Sequence, residues 1–110
     1  MQLPVQITYH GMESSAALDS AVREKVAKLE QYHPRITSCR VVIEQPAQRK
    51  RKGRQFVVRV DLTAPGNEIA LNHDHAEDVY VALRDAFDAA RRRLEVRART
   101  RRAELKRHER

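Results

Sequence analysis

The segment EDVYVALRDAFDAARRRL, residues 77–94, has the spacing of a helix that buries one face against a sheet. Its apolar residues recur three and four positions apart: Val79, Leu83, Phe87, Ala90 and Leu94. The overlapping segment ARRRLEVRARTRR, residues 90–102, contains seven arginines in thirteen positions. Extending the apolar line past Leu94 reaches Arg97 and Arg101. An unpaired guanidinium is too costly to bury, so past Leu94 we expect either a projecting basic helix or a frayed end.

Four upstream segments alternate apolar and polar residues, which is the pattern of strands with one buried side. They are LPVQITY (3–9), TSCRVVIEQ (37–45), QFVVRVDLT (55–63) and EIALN (68–72). Pro4 has no amide proton, which favours an edge position for the first strand. A first helix should start after the capping residues at 13–15 and end at about Tyr32. A second helix should begin near Ala76.

The order β-α-β-β-β-α predicts an α+β fold in a single domain. The first helix is a crossover connection, so the first two strands should be parallel neighbours, and two hairpins should follow. The later strands have one apolar side each, so we expect a four-stranded mixed sheet with both helices on one face. The other face, with Arg40, Glu44, Arg59 and Asp61, should be wet.

The net charge of +7 is concentrated in two places. Residues 1–90 hold 12 basic and 12 acidic residues, whereas residues 91–110 hold 10 basic and 3 acidic residues. A second cluster, QRKRKGR at 48–54, has five bases and no acid. Concentrated cations attract polyanions such as nucleic acids, although a solubilising tail and a solvated hairpin are the alternatives for these two segments.

Other classes of function lack support in the sequence. No apolar run approaches the length of a membrane span, and we expect no signal peptide. The single Cys39 should be a core residue in a reducing compartment. We expect no catalytic constellation, no cofactor and no small-molecule substrate. His73, Asp74 and His75 offer either a metal site without a third ligand or a helix cap at Asp74, and we expect the cap and no metal.

Three segments resemble the family of ribosome hibernation-promoting factors and ribosome-associated inhibitors. MQLPVQIT (1–8) is similar to the opening strand of that family, and KVAKLEQYHPRI (25–36) to the end of its first helix. EDVYVALRDAFDAARRRL is similar to its Asp-Met-Tyr-x-Ala-Ile motif with a later Arg-x-Leu. The three matches occur in the family's order over nearly the whole chain.

The resemblance implies a fold similar to a double-stranded RNA-binding domain and a cytoplasmic protein without catalysis. It implies docking on the small ribosomal subunit near the decoding centre, contact with its rRNA, and a block on messenger and transfer RNA during stress or stationary phase. We expect residues 1–98 to form the ribosome-binding domain and residues 99–110 a basic helical extension or frayed tail. We expect no dimerisation domain in this chain.

The resemblance also places individual residues. Lys25 and Lys28 match basic positions of the family's first helix, although a Glu24–Lys28 surface ion pair is the alternative. Tyr80 matches the Asp-x-Tyr-x-Ala motif, with a half-buried structural role as our expectation. Where the family often carries lysine this chain has Ala89, so its RNA contacts should differ in detail.

The expected RNA-binding residues are all basic and fall on the two helices and the 46–54 loop. They are Lys25, Lys28, Arg84, Arg91, Arg92, Arg93, Arg97, Arg99, Arg101, Arg102, Arg49, Lys50, Arg51, Lys52 and Arg54. A general module for structured RNA, without preference for the ribosome, is the alternative function.

Overall fold

A computed structural model describes residues 4–46, 55–65, 67–76 and 78–108, with the backbone alone for 67–69, 71–76, 101 and 106–108. In chain order the elements are β1 (Val5–His10), α1 (Ala16–Tyr32), β2 (Ser38–Glu44), β3 (Phe56–Ala64), β4 (Asn67–Ala76) and α2 (Val79–His108). The predicted α+β class and the predicted order of the elements are confirmed. No described helix has an apolar stretch long enough to cross a bilayer.

The strands form one sheet in the order β1-β2-β3-β4. Strand β1 pairs in parallel with β2, and Val5 lies opposite Cys39. The other two pairings are antiparallel. Strand β1 lies at the edge of the sheet, as Pro4 predicted, and among the described strands it pairs with β2 alone.

The core lies between one face of the sheet and both helices. The buried residues of the helices follow the predicted spacings of three and four positions, and those of the strands occupy every second position. The buried residues from the helices are Leu18, Val22, Val26, Leu29, Ala82, Leu83, Ala86, Phe87, Ala90 and Leu94. Those from β2 and β3 are Cys39, Val41, Ile43, Val58, Val60 and Leu62. The opposite face of the sheet is open, and Arg40 and Arg59 are exposed on it.

The boundary between β4 and α2 differs from the sequence prediction. Ala76 is the last residue of β4 and lies opposite Phe56 of β3, so α2 begins at Val79 instead. The expected helix cap at Asp74 is also wrong, because Asp74 lies within β4. The cap is Asp78, whose carboxylate accepts a hydrogen bond of 2.9 Å from the backbone amide of Tyr80. Pairing with β3 therefore outweighs the polar, turn-like composition of this segment.

The connection from β1 to α1 is held by local polar contacts. The hydroxyl of Ser15 accepts a hydrogen bond from the amide of Leu18 at 3.2 Å, which caps α1 as predicted. The hydroxyl of Tyr9 lies 3.0 Å from both the carbonyl oxygen of Ser15 and the carboxylate of Asp19. Gly11 has a φ of 71°, and a Cβ at this position would collide with the Gln45 carbonyl oxygen.

We expect Leu83→Ala to lower the free energy of unfolding by about 2–5 kcal/mol, because it opens a cavity at a fully buried position. The same substitution at Leu105, which is 57% exposed on the same helix, is the matched control and should change stability little. Urea denaturation of both variants measures this. Equal losses would show that α2 does not pack through the predicted stripe.

Cys39 is buried in the core, as predicted, and is 2% exposed. Burial raises the pKa of its thiol from 9.0 to about 12, with a smaller contribution from the Asp61 carboxylate. The thiolate is the reactive form of cysteine, so Cys39 is a poor nucleophile in the folded protein.

The raised pKa of Cys39 predicts a pH dependence of stability. Above pH 9 the thiol ionises in the unfolded chain but stays protonated in the folded one, so the free energy of unfolding should fall between pH 9 and about 12. The free energy of unfolding of Cys39→Val should fall less steeply over this interval, because the variant lacks the titrating thiol. Urea denaturation at pH 8, 9, 10 and 11 measures the two slopes, and identical slopes would contradict the prediction.

Candidate nucleic-acid interface

Helices α1 and α2 lie side by side and run in the same direction. Residues early in both helices, such as Ala21 and Val81, line one end of the groove between them. Tyr32 at the end of α1 lines the other end together with Arg91. Its floor includes the buried Leu29. We term this the interhelix groove, and it forms because the two parallel helices each pack an apolar stripe on the same sheet face.

The walls of the interhelix groove are predominantly basic. Among the described residues, four cations line it: Lys25, Lys28, Arg84 and Arg91. Two carboxylates, Glu24 and Asp88, also line it. Tyr80 lines the groove at 47% exposure, which fits the expected half-buried position. An open groove with an excess of flexible cations suits a phosphate backbone better than an enclosed small molecule.

The rotation of α2 separates the three consecutive arginines that the sequence placed together. Arg84 and Arg91 are seven residues apart, about two helical turns, and both line the interhelix groove. Arg92 is rotated by about 100° from Arg91 and is exposed on the solvent side. Arg93 is exposed on the flank of α2 that faces away from α1. Only Arg91 of these three lines the interhelix groove.

Beyond the end of α1, α2 continues as a helix to His108 and forms a second groove. Its other wall is the connection from Tyr32 to Ile36, together with the end of β3. We term this the distal groove, with a volume of about 390 Å³. Leu94, Ala98 and Leu105 supply its apolar lining from α2. The predicted run of apolar residues therefore reaches Leu105 rather than ending at Leu94.

The remaining predicted residues are distributed more widely. Arg97 and Arg102 line the distal groove and are exposed. Arg99 is exposed on the solvent side of α2, seven residues after Arg92. Arg101 lies in α2, but its side chain is outside the described residues. The basic loop at 49–54 also lies outside them.

Sequence reasoning missed two residues of these grooves. Tyr32, 69% exposed, lines both grooves, and Arg35 lines the distal groove. Tyr32 ends α1 three residues after the buried Leu29, and Arg35 follows the helix, so only the position of α2 beside this connection brings them into the grooves. The available signal was Leu105, which lies eleven residues after Leu94 and so on nearly the same side of α2.

The open sheet face carries a depression of about 580 Å³, lined in part by Gln6, Arg40 and Arg59. Arg59 forms an ion pair with Asp61 at 3.3 Å, and both groups are partly exposed. Within the described ranges, no group of three or more potential metal ligands comes together. For His73 and His75 the structure describes the backbone alone.

Comparison with known families identifies the class of this protein. The model of the family described as "Sigma 54 modulation protein / S30EA ribosomal protein" matches residues 5–102. The chain therefore belongs to this family, and its resemblance to hibernation-promoting factors is confirmed. The match spans both helices, the sheet and most of the basic part of α2.

Individual relatives agree with this assignment. The chain is 29% identical over 92 residues to a "Ribosome hibernation promoting factor" of Azotobacter vinelandii, covering 84% of this chain and 79% of the relative. A ribosomal subunit interface protein from Coxiella burnetii has a similar fold, with a TM-score of 0.74, 16% identity, and coverage of 87% and 98%. The Protein Y N-terminal domain of Thermus thermophilus also has a similar fold, with a TM-score of 0.68 and 18% identity. The alignment covers 84% of this chain and 94% of that domain.

Proposed function

We propose that this chain is a ribosome hibernation factor that binds the small ribosomal subunit near its decoding centre. In this proposal the interhelix groove contacts the phosphates of ribosomal RNA, and the bound chain occupies the path of messenger and transfer RNA. Translation is thereby blocked and idle ribosomes are preserved in the cytoplasm during stress or stationary phase. Family membership and the name of the curated relative support the ribosome as the target.

The observation that carries the RNA contact is the grouping of cations from two different helices. Lys25 and Lys28 of α1 share a groove with Arg84 and Arg91 of α2. Two parallel walls of cations can neutralise successive phosphates of one strand, and arginine adds bidentate contacts. The carboxylates of Glu24 and Asp88 limit the positive charge and would disfavour misplaced phosphates.

We also infer that the layout corresponds to that of a double-stranded RNA-binding domain, which recognises duplexes through shape and phosphate contacts. Residues 1–98 would form the ribosome-binding domain, and residues 99–110 its basic extension. Phosphate contacts alone carry little sequence information. The geometry of the groove is therefore equally compatible with a module for structured RNA off the ribosome, and the family supports the ribosome.

We expect the double substitution Arg84→Gln and Arg91→Gln to weaken binding to small subunits and to reduce the slope of log K against log salt by about two, because two phosphate contacts are lost. Arg84 is exposed and forms an ion pair with its partly exposed neighbour Asp85, at 3.2 Å, so stability should change little. Cosedimentation at several salt concentrations measures binding and slope.

The matched control is Arg92→Gln with Arg99→Gln, which removes the same charge from the solvent side of the same helix. It should change affinity and slope less than the groove pair does. Equal effects of the two pairs would show that net charge, and not the interhelix groove, governs binding. The pair Lys25→Ala and Lys28→Ala tests the α1 wall of the groove independently.

Competition between targets distinguishes a ribosome-specific factor from a general RNA-binding module. We expect purified small subunits to displace the labelled chain from free duplex RNA at concentrations at which large subunits do not. The same preparation of chain should inhibit translation in a cell-free extract. Equal competition by free duplex RNA, per nucleotide, would contradict ribosome specificity and favour the general module.

A further inference from the structure

We infer that the distal groove binds an unpaired RNA nucleotide, with the base on its apolar lining and the phosphates at its arginines. This inference rests on the proposed function, because the RNA that follows the interhelix groove is the source of the nucleotide. The inference gives a ligand to the part of α2 beyond Leu94, which lines the distal groove and does not take part in the phosphate contacts of the interhelix groove.

The lining of the distal groove combines apolar surface with positive charge. Ile36 and Leu94 are buried beneath it, and Leu105 remains 57% exposed at its rim. Arg35 and Arg102 also line it, and both are exposed. No acidic residue is among the described residues of the lining. An occupant must therefore present an apolar part and a negative charge close together.

An unpaired nucleotide meets both requirements within one residue. Its base is flat, largely apolar on its faces and able to stack on aromatic or guanidinium groups, and its phosphate is anionic. A duplex meets only the second requirement, because its bases are stacked on each other. A protein segment would need an apolar side chain flanked by acids, which is a more particular sequence. The groove volume of about 390 Å³ lies within the range of small-ligand sites.

Tyr32 connects the two grooves. It ends α1, lines both grooves and is 69% exposed, which is high for an aromatic ring without a partner surface. A strand whose phosphates follow Lys28 and Arg91 would arrive at Tyr32 next. The ring is therefore placed where a base leaving a duplex would first meet a stacking surface.

Arg97 carries less weight in this inference. It lines the distal groove, but it also makes an interaction within the protein. The phosphate contacts are therefore assigned to Arg35 and Arg102. Arg35 and Arg102 lie near the C-terminal end of α1, which carries a partial negative charge. The competing explanation is therefore that these arginines stabilise the helix end and bind no phosphate.

The test compares two labelled RNA hexamers that carry the same phosphates: oligoadenylate and an abasic ribose-phosphate strand. Fluorescence anisotropy with the full chain should give an affinity about tenfold higher for oligoadenylate, because one stacked base is gained. Leu105→Glu places a carboxylate at the groove rim and should remove most of this preference. Val96→Glu is the matched control, since Val96 is 53% exposed on the same helix but outside the groove, and should keep the preference.

A second pair of variants separates stacking from charge. Tyr32→Leu should reduce the preference for oligoadenylate, whereas Arg102→Gln should weaken the binding of both hexamers equally and leave the preference unchanged, because the two strands carry the same phosphates. Equal affinity for the two hexamers, or equal effects of Leu105→Glu and Val96→Glu, would overturn the inference. Tighter binding of an acidic peptide with one central phenylalanine than of oligoadenylate would also overturn it, because the occupant would then be a protein.

Ribosome binding of wild-type chain, measured by cosedimentation in parallel, distinguishes the two levels of the proposal. Normal ribosome binding without a preference for oligoadenylate over the abasic strand would overturn only the inference about the distal groove. Absent ribosome binding with a base preference that Leu105→Glu removes would overturn the proposed function and leave the groove as a nucleotide-binding site.

Discussion

The packing of the α2 apolar stripe on the sheet, beside the stripe of α1, is the constraint on which the rest of the structure depends. Leu83, Phe87, Ala90 and Leu94 occupy successive turns and are buried. Their burial fixes the rotation of α2, and this rotation determines which arginines face α1. A change of one residue in register, about 100° of rotation, would turn Arg91 out of the interhelix groove and another residue into it. Core packing and the charge of the groove are therefore set by the same contacts.

Repulsion among the arginines of α2 destabilises this helix in the free protein. Like charges three and four residues apart destabilise a helix by a few tenths of a kcal/mol per pair, and the arginines of 91–102 are this closely spaced. The core contacts end at Leu94, yet the helix continues to His108. Beyond Leu94, α2 faces the connection from Tyr32 to Ile36 across the distal groove. An anionic partner would relieve this repulsion, and RNA is that partner in the proposed function.

Much of the fold was accessible from the sequence because period-2 and period-3.6 patterns are local. The order of elements followed from them, the edge position of β1 followed from Pro4, and the helix cap at Ser15 followed from the capping residues at 13–15. The start of α2 was not accessible, because the pairing of β4 with β3 decides whether Asp74 caps a helix or lies in a strand. The basic residues of the candidate site were identifiable by type. Their division between groove and solvent, and the distal groove at Arg35, depend on tertiary packing that no local pattern contains.

The central claim is that the chain meets ribosomal RNA through the groove between its two helices. A cryo-electron microscopy reconstruction of the chain mixed with idle ribosomes tests it most directly. We expect density for the chain on the small subunit, with rRNA phosphates within about 4 Å of Lys25, Lys28, Arg84 and Arg91 and the open sheet face turned away from the RNA. Density in which the open sheet face, with Arg40 and Arg59, meets the RNA would contradict the account, as would ribosomes that carry no chain at low salt.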